Sequence, residues 1–257
     1  MTSAGSQDLK KIMDMVESQT GYSVSVSPDP SLTTHSAMLS AAEGRAAHMV
    51  RVNPKYDRYS NALVAQQSAM LLIKWADPKR IPDFRPVPEK AQALKIRMMP
   101  QMRKRGYEAS IAGKYIDMIV LGLLQQLNSI PCQIMATEMC YELCPNLREE
   151  ITLSMNSELK EASGVLDPKI KGATPPEIFA RSVAMNGAYA KRWADKSGDR
   201  LALLPYEATG FIKKATELCH AFDLIPADSP DRYPHSVDSW AKVLEMEGWY
   251  EFTYRKA

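Results

Sequence analysis

Apolar and polar residues follow three different periods along this chain. Over 8–20, Leu9, Ile12, Met13 and Val16 recur at helical spacing with polar residues opposite, and Gly21 is placed to end the helix. Residues 22–27 then alternate Tyr, Val, Val with three serines, which is the period of a strand, and Pro28 and Pro30 break it. Two short apolar stretches, 37–42 and 47–52, flank Glu43–Gly44–Arg45 and predict a hairpin that Asn53–Pro54 closes. From 56 to 75 there is no proline or glycine, and Tyr59, Leu63, Gln66, Met70 and Ile73 share one face, so a core helix is expected. Four prolines between 78 and 90 then predict a fixed, extended connector.

Beyond the connector the helical period dominates. Ile111, Tyr115, Ile119, Leu123 and Leu127 predict a long buried helix ending before Pro131. Further helices are expected over 132–143, 147–161, from Pro175–Pro176 to about 196 with Thr174 as cap, over 205–222 and over 236–247, followed by an aromatic tail. The fold class that emerges is α+β: a small sheet-plus-helix N-terminal part followed by a mainly α-helical half. The expected divisions are 1–77, a basic proline-rich connector over 78–106, and a helical part over 107–257.

Composition narrows the class more than the function. With 45% hydrophobic and 24% charged residues, the 257-residue chain can bury a full core without disulfides. Four cysteines do not resemble a secreted disulfide framework, and the first residues lack an apolar signal core, so a cytoplasmic setting is expected. The longest uninterrupted apolar run, 118–124, is far short of a bilayer, and no membrane association is expected. Net charge is +2, yet 45–105 holds fourteen Lys and Arg against four Asp and Glu, an excess of ten that leaves −8 elsewhere. Such a stretch suits nucleic acid or another acidic partner, with Arg103, Lys104 and Arg105 as its candidate anion-binding cluster; an ordinary solvated face is the plainer reading.

The order helix, strand, hairpin, core helix resembles a minimal zincin. The segment HMVRVNPKYDRYSNALVAQQSAMLLIKW sharpens this, because it resembles the ImmA/IrrE-like zinc metallopeptidases over about residues 8–77. In that family a strand of the form I-x-V-N leads through a polar turn into a helix written A-H-E-x-x-H. Here Val50–Asn53 stands at the strand and Ala65 opens the helix motif. The segments PCQIMATEMCYELCPNLREE and TPPEIFARSVAMNGAYA look like the helical extension of longer members. The resemblance implies a zincin-like fold, and it implies a metal only if the ligands are present.

They are absent. Ligand, base and ligand positions hold Gln66, Gln67 and Met70. Zinc takes imidazole nitrogens one helical turn apart, and hydrolysis needs a carboxylate beside the first of them. An amide is a poor zinc ligand and takes no proton at neutral pH, and a thioether is too soft. No catalytic residue, metal or cofactor is therefore expected, and the resemblance implies a non-catalytic metallopeptidase-like protein with a regulatory or protein-binding role and a protein partner. Two alternatives stay open. One is a structural subunit of a larger assembly, a nucleic-acid-associated one included. The other is a metal-dependent hydrolase with unconventional ligands, for which Cys140, Cys144 and Cys219 are the weak candidates, with buried core thiols as the plainer reading. The chain contains no G-x-S-x-G, phosphate-loop or dinucleotide-binding glycine motif.

Overall fold

The structure is a computed structural model and describes residues 4–42 and 44–256. It is α+β, with 67% of the residues helical, so the strands serve as local platforms rather than as the framework. The chain forms two compact units, each assembled from separate segments. One comprises the chain up to Pro82, Cys132–Glu158 and the residues from Tyr254; the other comprises Asp83–Pro131 and Leu159–Thr253. These are not the contiguous blocks 1–77, 78–106 and 107–257 that the local pattern suggests.

In the first unit α1 (Ala4–Thr20) is followed by β1 (Val24–Pro28), β2 (Ser36–Leu39) and β3 (His48–Val52). The sheet order is β1-β3-β2. β3 pairs parallel with β1, Val24 opposite His48, and antiparallel with β2, Ser36 opposite Val52. The alternation in β3 is strict: His48, Val50 and Val52 are buried while Met49 and Arg51 are half-buried. The chain then makes a 3-10 turn over Pro54–Tyr59, with Asn53 Oδ1 accepting from the Lys55 amide, before α2 (Ser60–Lys74). The single helix expected from 56 is thus divided, because Tyr59, at φ −133° and ψ 31°, leaves the helical path just before α2.

α2 is buried around most of its circumference, as its continuous run of Ala62, Leu63, Val64 and Ala65 requires. Ile12 and Val16 of α1 are buried with it, and Gln19 Nε2 donates to the Leu72 and Trp75 carbonyls at 2.8 and 2.9 Å. A side chain from a neighbouring helix thereby satisfies carbonyls that the end of α2 leaves open.

In the second unit the helical expectation needs several corrections. β4 (Ile81–Pro86) is extended as expected, but Pro88–Lys104 forms a helix, α3. Pro88 occupies its first turn, where proline fits, and Pro100 is tolerated further along. α4 runs from Ala109 to Leu143 and includes Pro131. The ring costs one helical hydrogen bond there, and Leu127, Ile130, Cys132 and Ile134 on either side of it are buried. This helix is long and apolar enough to cross a membrane by length and composition, although half of that stretch is buried inside the protein.

α5 (Arg148–Ala162) and α6 (Pro168–Ala173) precede α7 (Pro176–Ser197). Thr174 does not cap α7 with its side chain; it closes α6, its amide donating to the Ile170 carbonyl. The helix expected over 205–222 is two pieces, α8 (Leu204–Glu207) and α9 (Ile212–Asp223), parted by Gly210 at φ +76°. After α10 (Arg232–Val243) the aromatic tail becomes β5 (Tyr250–Arg255), paired with β4, and Phe84 stacks on Tyr250 with centroids 4.5 Å apart. The core of this unit is built on Trp193, Tyr206, Phe222 and Trp240, and Trp240 Nε1 donates to the Leu218 carbonyl.

Candidate functional site

The site that the sequence singles out lies on α2, within the first unit. Gln66 and Met70 are one turn apart and both buried. Gln66 Nε2 donates to Thr137 Oγ1 at 2.9 Å, and the threonine hydroxyl donates onward to the Met155 sulfur at 3.6 Å. Ala62, Cys140, Ile151 and Ser154 complete the lining of a small void of about 10 Å³, the scale of a single water. Ser154 Oγ is buried there with no hydrogen-bond partner. Helical spacing alone puts Gln66 and Met70 on one face; the C-terminal part of α4 and the first part of α5 turn that face into an interior.

Gln67 points another way. Its Nε2 donates to Ser36 Oγ at 3.0 Å, tying α2 to strand β2. β2 is an edge strand. The Asn53 amide donates to the His35 carbonyl, which sets the phase of the β2–β3 ladder. By the alternation of an antiparallel pair, Ala37 and Leu39 direct their backbone groups at β3, and Ser36 and Met38 direct theirs to the open edge. Thr34 Oγ1 donates to the Ser36 carbonyl, in keeping with that outward direction.

The two histidines of this unit have other roles. His48 is fully buried, with Nδ1 accepting the Ala41 amide and Nε2 against Thr20 Oγ1, both at 3.0 Å. His35, just before β2, packs on Tyr56 at a centroid distance of 3.8 Å. Among the described residues no group of three or more His, Cys, Asp or Glu could hold a metal ion. Cys140 and Cys144 are buried on the last turn of α4 and just beyond it, and desolvation raises both thiols, that of Cys144 to about 11. Cys219 belongs to the other unit, where its thiol donates to the Ala188 carbonyl and burial pushes it up to about 12.

The basic cluster is divided. Arg103 and Lys104 are exposed at the end of α3, whereas Arg105 donates to the carbonyls of Gly172 and Thr174 at 2.9 and 3.0 Å. Other cations of the stretch have acidic partners: Arg51 pairs with Asp29, Lys95 with Asp117 and Arg97 with Glu177. Thr137, Ser154 and Met155 carry no sequence signal, being ordinary helix residues that only packing brings to Gln66. No protein-family model, curated protein or solved structure matches this chain.

Proposed function

We propose that this protein is a non-catalytic, metallopeptidase-like binding or regulatory component whose α1-β1-β2-β3-α2 unit holds an extended segment of a protein partner along β2. One observation carries the reading. At the three motif positions the side chains serve internal packing: Gln66 and Met70 are buried, with Gln66 bonded to Thr137, and Gln67 braces the edge strand from behind. An edge strand with outward backbone donors and acceptors can add a partner's strand without any metal.

Selection of extended peptides from a display library tests this. Peptides that bind should lose binding to Met38→Pro, which removes an outward amide while leaving the β3 ladder intact. Binding indifferent to that substitution, or peptide hydrolysis that follows one bound zinc per chain, would refute the reading. A second reading, a subunit of a larger assembly, draws on α4, where Ile111, Met118 and Leu121 are 54%, 60% and 49% exposed on one side of the helix. Self-association or co-assembly abolished by Met118→Lys would favour it over the first.

A further inference from the structure

The second unit contains a cavity that the α2 site does not involve. Its volume is about 190 Å³. Ile119 and Leu123 of α4, Val165, Ile170, and Ile178 and Phe179 of α7 form an apolar lining. Gln126, Thr174 and Ser182 add the polar groups, and no charged side chain takes part. Gln126 Oε1 is buried with no hydrogen-bond partner. A buried acceptor left without a donor is costly, and a native site keeps one where a ligand or water supplies the donor.

The rim is a short, distinct segment. Ile170 is 44% exposed, and α6, which carries it, follows Gly164 and contains Gly172 in its last turn. Arg105 secures the far end of that segment through the Gly172 and Thr174 carbonyls. Thr174 itself lines the cavity, so a residue singled out for anions acts here on a neutral pocket.

We infer that this cavity is a binding site for a small, neutral, mainly apolar molecule carrying one hydroxyl group, of the size of a monocyclic phenol. Volume sets the size, since an apolar cavity of about 150 Å³ admits benzene. The absence of charge in the lining disfavours an ionised ligand, which would be desolvated without compensation. The hydroxyl is favoured over other polar groups because it both donates and accepts, and so satisfies the Gln126 amide in either orientation.

The probes are p-cresol and toluene, which differ by that hydroxyl, titrated into the full chain by calorimetry with amide shifts followed by NMR. p-Cresol should bind saturably, shift Leu123 and Phe179, and exceed toluene in affinity by about tenfold, the scale of one buried hydrogen bond. Gln126→Leu should bring p-cresol down to the toluene level. Gly122 lines the cavity with open space where a Cβ would stand, so Gly122→Leu should fill it and abolish both. Leucine is the better helix former, so this variant keeps its fold and separates occlusion from unfolding. Equal affinity for the two probes, no saturable binding, or binding that survives Gly122→Leu would overturn the assignment.

Discussion

His48 makes the stability of the first unit depend on pH in a direction its hydrogen bonds dictate. The Ala41 amide can only donate, so Nδ1 of His48 must accept, and the ring proton lies on Nε2 and goes to Thr20 Oγ1. That hydroxyl also accepts from the Tyr22 amide and donates to the Tyr22 carbonyl. The ring thus joins β3, the end of α1 and the residues after β2, with Tyr22 and Trp75 edge-on around it. A proton on Nδ1 would face the Ala41 N–H. Burial, with a smaller contribution from the Arg255 charge, holds the imidazole below its ordinary 6.5. The unfolded chain therefore binds a proton that the native state refuses. Stability is full above about 6.5 and falls as pH drops below it, by up to about 1.4 kcal/mol per pH unit until the native group itself titrates. His48→Phe keeps the ring volume but strands a buried amide, costing about 1–3 kcal/mol near neutrality, and it should flatten this pH dependence. Urea unfolding of both proteins between about pH 7.5 and pH 5, above the range in which ordinary carboxylates titrate, measures both effects. An unchanged slope in the Phe variant would refute the reasoning.

Arg105→Ala should lower the unfolding free energy by about 1 kcal/mol through the lost Gly172 and Thr174 bonds, whereas Arg103→Ala and Lys104→Ala should stay within about 0.5 kcal/mol, all read from denaturant midpoints. Cys132, Cys144 and Cys219 have thiols pushed up to about 11, about 11 and about 12 by burial, so a thiol reagent at neutral pH should leave them unmodified until the protein is unfolded; rapid labelling of the native protein would contradict this.

The parts of the fold that could be read from the chain are those whose signal is local. The strand alternation of His48, Val50 and Val52 and the apolar run of α2 each reflect a nearby core, and both appear where the pattern puts them. The helix over 88–104 was hidden because prolines are read as breakers, yet Pro88 stands at the one helical position that favours it. β5 was hidden because its partner is far away in the chain, as the stacking of Phe84 on Tyr250 shows. Pro131 shows the converse, a local breaker overruled by a buried environment on both sides.

The same division runs through the candidate sites. Motif position alone identifies Gln66, Gln67 and Met70, since the resemblance concerns spacing along one helix. What those residues touch is decided by α4, α5 and β2, and Thr137, Ser154 and Ser36 have nothing in their local sequence to mark them. The basic stretch makes the physical point sharply. A count of charges along 45–105 finds an excess of ten, because it sees residues near in sequence. The folded chain answers Arg51, Lys95 and Arg97 with Asp29, Asp117 and Glu177, all of which lie outside the counted stretch. Exposed pairs of this kind contribute little to stability, but each one lowers the charge that a distant acidic partner would feel. The field available for steering is therefore that of cations such as Arg103 and Lys104, and a surface identified by tally must be reassessed residue by residue once the acids are in place.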